Sequence, residues 1–394
     1  MPSENQKTLR IAWLIKGNDA GGVVQTVRGL MSSMRAYQIE PVALSLRDGP
    51  MVETLRSINL PVRVLPLDPP PTLQGNLLSR VRIYSEIRRN IRGLIPPVLQ
   101  AVRQEHADAV HVLRLNLCPV AGGAAREAGI PCFWEMTSAL GKYPLHLNRR
   151  IIQRQLKRDG VTVLANSRYS IQSLGEHPVK PILLYPGADS ERFNPERVKP
   201  VSRSELGIPE DALVLGILAR LNADKGQGMV LQAMASLLGE FSKLHLLLAG
   251  HWVDDTYVVR LRSLAESLHV ADRLHILRNV PDPERYFGAM DLPVSALPTP
   301  EAFGLSIVEA MMMGKPVLVH ALGGPAETVI DGVTGWQVHQ PSVAAYANGI
   351  RRAMADHPRW PQMGAAARER ALEYFSLKRQ AAEYAAIVRQ KIGG

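Results

Sequence analysis

Ala296-Leu-Pro-Thr-Pro-Glu-Ala-Phe-Gly-Leu-Ser-Ile-Val-Glu-Ala-Met-Met-Met-Gly-Lys-Pro316, continued by Val317-Leu-Val-His320, changes its period part-way along. A proline-rich turn runs up to Glu301, and Phe303-Gly304 makes a tighter one. Leu305–Met313 then carries a helical apolar stripe, Gly314 closes it, and Pro316–His320 is an apolar run of strand length. Turn, helix, turn and strand in so short a span are the parts of a crossover in a parallel sheet.

The same alternation extends outward on both sides. Upstream lie strands over Leu213–Leu218, Leu244–Leu248 and Leu274–Leu277, with helices over Gly226–Leu238, Thr256–Leu268 and Pro283–Phe287. Downstream the chain is helical from Val343, interrupted near Pro358 and Pro361. The first half repeats the pattern with strands at Leu9–Ile15, Val42–Leu46, Val62–Leu65, Ala109–Leu113, Cys132–Trp134, Val161–Leu164 and Ile182–Leu184. Amphipathic stretches at Val23–Met34, Leu77–Gly93 and Pro119–Ala128 separate several of them. Tyr185-Pro-Gly-Ala-Asp-Ser-Glu-Arg-Phe-Asn-Pro195 is rich in turn formers and reads as a hinge-like linker. The expected architecture is α/β, with two Rossmann-like domains facing a cleft. The N-terminal domain covers 1–185, the C-terminal domain 186–375, and a helix over 376–394 packs back on the first. Ligands in such sheets bind beyond the carboxyl ends of the strands.

Composition excludes several classes. A length of 394 residues with 46% hydrophobic and 21% charged residues fits two globular domains and no disordered chain. No apolar run approaches a membrane span, and the polar start Met1–Lys7 does not resemble a secretory signal. Cys118 and Cys132 are too few for a disulfide scaffold and lie in no metal-ligand spacing. The expected location is therefore cytoplasmic. The net charge of +10 is one-sided: residues 1–190 hold 24 Lys and Arg against 14 Asp and Glu, residues 191–394 hold 22 of each. The first half is expected to meet something anionic.

Candidate chemistry gathers in the strand-to-helix loops. Glu301 precedes the Phe303-Gly304 turn, and Glu309 lies on the helix that turn opens. Peptide N–H groups at such a helix start form an anion seat, and a carboxylate on the helix can accept hydrogen bonds from a ribose. Taken alone, Glu301 reads as a plain helix cap and Glu309 as a solvated charge. Ala219-Arg-Leu-Asn-Ala-Asp-Lys-Gly226 adds Arg220 and Lys225, one a fork and one a point charge, suited to a diphosphate. Gly323-Gly-Pro-Ala-Glu-Thr328 and Asp331-Gly-Val-Thr-Gly335 are further tight loops.

The order ARLNADKG, LLLAGH, PTPEAFGLSIVEAMMMGKPV and GGPAETVIDGVTGW resembles the nucleotide-sugar half of family-4 retaining glycosyltransferases with the GT-B fold. The linker YPGADSERFNP and the loop GNDAGGVVQTVRGL are also similar to that family's. The resemblance implies that Glu301 approaches the donor sugar's hydroxyls and that Glu309 binds the ribose. Arg220 and Lys225 would hold the diphosphate, helped by backbone N–H groups of Phe303, Gly304 and Leu305. Leu277 and Arg278 would sit beside the base. Gly21 and Gly22 would let the N-terminal loop approach phosphates or acceptor closely, their plain alternative being a simple turn. The family usually needs neither metal nor cofactor, and the chain contains no Asp-x-Asp. Thr137 stands where many relatives carry an acceptor-side histidine, with Glu135 as a second polar candidate there; His111 matches a recurrent strand-end histidine that is more often structural.

The implied activity is metal-independent transfer of a hexosyl-type sugar to a glycan, lipid-linked or phosphorylated acceptor, in bacterial glycan, lipopolysaccharide or glycolipid assembly. A sugar-nucleotide epimerase on the same fold, or a non-catalytic sugar-nucleotide-binding protein, are the alternatives. Two basic segments, Arg80, Arg82, Arg88, Arg89 and Arg92 around Tyr84, Ile87 and Ile91, and Arg149, Arg150, Arg154, Lys157 and Arg158, are read as a surface for acidic lipids or a phosphorylated acceptor. Helices packed on the sheet with solvated arginines are the alternative. Nucleic acid is not expected, because the basic segments lack regular aromatic interleaving.

Overall fold

The structure is a computed structural model that describes residues 7–19, 22–70, 77–140, 147–176, 180–250 and 254–393. The chain forms two compact units, Met1–Gly187 with Leu377–Gly394, and Ala188–Ser376.

The first unit is built on seven parallel strands: β1 (Leu9–Ile15), β2 (Ile39–Ser45), β3 (Val62–Val64), β4 (Ala109–Val112), β5 (Cys132–Met136), β6 (Val161–Ala165) and β7 (Ile182–Leu183). Their order is β3-β2-β1-β4-β5-β6-β7. β1 pairs with β2 from Leu9 opposite Ile39 to Ile15 opposite Ser45, and on its other edge with β4. Helices cover both faces, so the strands are near-continuous apolar runs without alternation. One layer of core joins Leu14, Val112 and Trp134 to helices Leu77–Gln104 and Cys118–Ala128. The other joins Trp13, Ile15 and Phe133 to helix Gly22–Met34 and to the C-terminal helix Leu377–Gly393, which contributes Tyr384 and Val388. Helix Leu77–Gln104 runs well past the expected end at Gly93 and carries Pro96 and Pro97 inside it.

The second unit repeats the design with β8 (Leu213–Leu218), β9 (Leu244–Gly250), β10 (Leu274–Arg278), β11 (Leu292–Ser295), β12 (Val317–His320) and β13 (Gly335–Val338). The order is β10-β9-β8-β11-β12-β13, every pair parallel. Both sheets are thus Rossmann-like, and each reverses its strand order on its own first strand, the arrangement that opens a ligand crevice at the carboxyl ends. Two strands are additions to the sequence reading. β11 is short and contains Pro293, a residue that ordinarily argues against a central strand. It is nonetheless central, with Pro293 opposite Gly216. β13 begins at Gly335, inside what reads as a loop. The helical tail is interrupted where the prolines stand: helix Val343–Ala355 ends, His357–Arg359 makes a tight turn, and Pro361 lies in the first turn of helix Trp360–Phe375.

Candidate functional site

The second sheet reverses between β8 and β11, and a pocket lies there, bounded by Leu218, Ala219, Lys225, Ala296, Glu301 and Ser306 among others. Three loops make it. The first follows β8, turns through Ala223–Lys225 and enters helix Gln227–Ala235 at Gly226. Gly226 is left-handed, φ 71°, and a Cβ there would fall 1.9 Å from the Ala296 carbonyl oxygen. Only glycine lets this loop lie against the end of β11.

The second loop carries Glu301 and enters helix Leu305–Met312 through left-handed Gly304, with no side chain capping the helix start. The first N–H groups of that helix are therefore left to a ligand or water. The third loop, Gly323-Gly324, clamps the second backbone to backbone. Glu301 N–H donates to Leu322 O at 3.3 Å, and Gly324 N–H donates to Glu301 O at 2.8 Å. A Cβ on Gly323 would meet that carbonyl oxygen at 2.1 Å, and one on Gly324 would meet the Phe303 Cα at 2.3 Å. The motif's glycines are thus spacing elements that fix where Glu301 stands. Phe303 is buried and packs edge-on against Phe375 at 5.6 Å.

Electrostatics at the pocket, and at Glu309 on the helix beside it, follow from burial. Desolvation pushes the Glu301 carboxyl above its ordinary range, and Lys225 pulls it part of the way back. Glu309 is pushed further, up to about 8, by burial; Arg192 lowers it and Glu284 raises it. Glu309 is therefore neither helix cap nor solvated charge. Arg192 binds Glu284 through Nε at 2.9 Å, so a cation from the linker and a carboxylate from helix Pro283–Ala289 both act on Glu309. Nothing in the sequence points to this grouping, because Arg192 and Glu284 lie 92 residues apart.

The sequence candidates distribute as follows. Lys225 and Glu301 line one pocket, with Leu305 at the adjoining helix start. Arg220 stands exposed on the same loop as Lys225, with Asp224 at 3.2 Å. Leu277 and Arg278 end the edge strand β10, and Arg278 pairs with Asp255. In the first unit Gly22 opens helix Gly22–Met34, while Gly21 lies outside the described residues. Thr137 follows β5 and is partly exposed. Glu135 is buried, its carboxylate 3.3 Å from His111 Nε2, and His111 Nδ1 lies 3.0 Å from the Tyr384 hydroxyl. Trp13 stacks on that imidazole at 3.7 Å, and burial lowers the His111 pKa while Glu135 raises it. His111 thus joins the C-terminal helix, through Tyr384, to Glu135 on the neighbouring strand. Its burial against His111 gives Glu135 a structural contact. Of the basic segments, Arg89 and Arg92 are exposed, as are Arg150, Arg154, Lys157 and Arg158. The side chains of Arg80, Arg82, Tyr84, Ile87 and Arg88 lie outside the described residues. No helix among the described residues is long and apolar enough to cross a membrane.

The family described as Glycosyl transferases group 1 matches residues 198–370, and the Glycosyl transferase 4-like domain matches residues 21–184. The chain belongs to the group 1 glycosyltransferases, with a 4-like N-terminal half. The fold is GT-B. A glycosyltransferase from Rickettsia africae superposes with a TM-score of 0.83 at 18% identity, over 98% of this chain and 99% of that one. Anabaena Alr3699/HepE in complex with UDP gives 0.80 at 21%, over 97% and 100%. By sequence, the D-inositol 3-phosphate glycosyltransferase of Corynebacterium aurimucosum is 30% identical over 240 residues, 57% of this chain. That match spans only 56% of the relative's own length. The protein of the same name from Stackebrandtia nassauensis is 26% identical over 390 residues, 90% of this chain and 84% of that protein.

Proposed function

We propose that the protein is a retaining, metal-independent hexosyltransferase that moves a sugar from a nucleotide-diphosphate sugar to an acceptor hydroxyl. The observation that carries this reading is Lys225 and Glu301 lining one pocket at the second sheet's switch point, beside an uncapped helix start. Breaking the bond between sugar and diphosphate builds negative charge on the leaving group and positive charge on the sugar. Fixed cations and dipoles aimed at the departing phosphate are the largest contribution such a site makes. Lys225, Arg220 and the N–H groups after Phe303 supply them, in the place a metal would otherwise take. Glu301 accepts from the sugar's hydroxyls, and Glu309 accepts from the ribose.

Retention follows a same-face route. The bond from the anomeric carbon to the diphosphate oxygen breaks, the acceptor oxygen bonds to that carbon, and the acceptor's proton passes to the departing phosphate. No protein base is consumed, so Thr137 in place of a histidine is compatible with turnover. The names of the Corynebacterium and Stackebrandtia relatives specify a phosphorylated acceptor, and a phosphorylated, glycan or lipid-linked acceptor fits the basic first half. The setting we assign is bacterial glycan, lipopolysaccharide or glycolipid assembly in the cytoplasm. The exposed basic residues of helix Leu147–Arg158 support a peripheral contact with acidic lipid.

The purified protein incubated with a panel of nucleotide sugars and hydroxyl acceptors, with products read by mass spectrometry, tests this. Transfer with retained anomeric configuration, surviving excess chelator, is the expected result. Isomerised donor without transfer would mark an epimerase, and binding without turnover a sensor. Co-sedimentation with acidic vesicles that fades as salt rises is expected for the membrane contact.

A further inference from the structure

The first sheet has a switch point of its own, between β1 and β4. There Leu14 lies opposite Val112 in the last described pair of the ladder. Lys16 directly follows β1 and Arg114 stands two residues beyond β4, so both lie just past the carboxyl ends of adjacent strands. Each is a cation at a carboxyl end, where open α/β sheets bind ligands. Lys16 is half-buried and has no ion-pair partner among the described residues. Arg114 is turned onto Asp19, its Nε 3.0 Å from Oδ1 and a terminal nitrogen on the same oxygen. The Asp19 side chain is only 10% exposed, whereas that of Arg114 is 36% exposed. The guanidinium therefore reaches the crevice from behind a carboxylate that holds it in place.

The other charges on these strand ends are already matched. Arg47 pairs with Asp68, Arg56 with Asp48, and Glu135 faces His111. The loop is also fixed in position. Gly17 is left-handed, φ 93°, and a Cβ on it would fall 1.9 Å from the Arg47 carbonyl oxygen. Among the described residues, what remains at the switch point is two cations against one carboxylate.

We propose that Lys16 and Arg114 form the seat for the phosphate of a phosphorylated polyol acceptor, with Asp19 occupying the guanidinium until that phosphate displaces it. The proposal rests on the glycosyl-transfer reading for what the ligand does, although the seat itself is argued from the first unit alone. A phosphate matches the planar fork as a carboxylate does, carries up to twice the charge, and has a third oxygen free for Lys16. Asp19 keeps the fork oriented in the empty site, so little ordering of the side chain is needed on binding.

Inorganic phosphate is titrated calorimetrically into the full-length protein saturated with UDP, which fills the donor pocket, and the titration is repeated without UDP. Arg114→Ala is expected to weaken the UDP-independent phosphate site by roughly tenfold to a hundredfold, the range for hydrogen bonds to a charged group. Lys16→Ala should weaken it less. Asp19→Asn should strengthen it, because the competing anion is gone. All three should bind UDP as the wild type does; Arg114→Ala is expected to melt lower, because it leaves the Asp19 carboxylate without its partner, so affinities are compared well below its melting transition. Phosphate affinity unmoved by Arg114→Ala and Lys16→Ala overturns the seat. So does weakening by Asp19→Asn, which would make the pair a plain structural clasp. Failure of UDP to bind the wild type counts against the donor reading instead, and leaves the phosphate titration as a test of the first unit.

Discussion

The two units reverse their sheets in the same way but hold their switch points by different means. In the second, the loops are locked backbone to backbone: Gly226 against Ala296, Gly323 against Glu301 and Gly324 against Phe303. In the first, Gly17 lies against the Arg47 carbonyl in the same way, and ion pairs and side-chain contacts are added, with Asp19 on Arg114, and Glu135 on His111, which in turn meets Tyr384. Charge divides along the same line. The first unit carries 28 Lys and Arg against 14 Asp and Glu, the second 18 against 22. A backbone clamp admits one residue type at each position and presents the same geometry to every ligand. An ion pair can be exchanged for a ligand, or replaced by another pair, without disturbing the chain path.

The sharpest way to break this comparison is Lys225→Ala. On the donor reading it removes a charge that stabilises the leaving group, a loss of about 2.7–4 kcal/mol in the barrier. Single-turnover rates should fall accordingly, and Arg220→Ala, exposed and shared with Asp224, should fall less. Undiminished rates in both would move the diphosphate site elsewhere.

Glu309→Gln comes next. Measured above pH 8, where the folded carboxyl is ionised, it should cost about 1.5–3 kcal/mol of donor affinity by weakening hydrogen bonds from the ribose. It also has a signature in stability. With the folded-state value near 8 and the ordinary one at 4.5, the folded protein keeps a proton that the unfolded chain releases across that window. The wild type therefore loses stability as pH rises from 4.5 to about 8, and the glutamine variant is spared this loss. Melting temperatures should coincide near pH 4.5 and favour the variant at pH 8. A variant with wild-type donor affinity would exclude the ribose contact.

Gly226→Ala should destabilise the protein by about 1–3 kcal/mol, the usual cost of overpacking, and loosen donor binding with it. Denaturant midpoints and donor titrations read the two together. A stable variant with normal donor binding would show that the loop does not need its close approach to β11. The smallest effect is expected on the other side. Tyr384→Phe removes the hydrogen bond to His111 and should cost about 0.5–1.5 kcal/mol, with donor affinity untouched. A change in donor binding there would mean that the units are not as separate as their cores.

What could be read from the sequence follows the same division. Strands buried on both faces announce themselves as apolar runs, so Leu9–Ile15 and Leu213–Leu218 have the same bounds in the sequence reading and in the structure. β11 does not, because Pro293 in a short run reads as a breaker; its role depends on neighbours Gly216 and Val319, far away in the chain. The loop bearing Glu301 was legible because its geometry demands glycines at fixed spacing. Arg192, Glu284, Asp19 and Arg114 were not, because a tertiary ion pair imposes no local pattern on either partner.

The C-terminal helix has a consequence for synthesis. Tyr384 and Val388 belong to the first unit's core, yet they follow the whole of the second unit in the chain. During translation, residues 188–376 are all made before the first unit receives its last element. Domains fold as units as they emerge. The second unit's segment is therefore complete in the chain before Leu377–Gly393 supplies Tyr384 and Val388 to the core that holds Trp13.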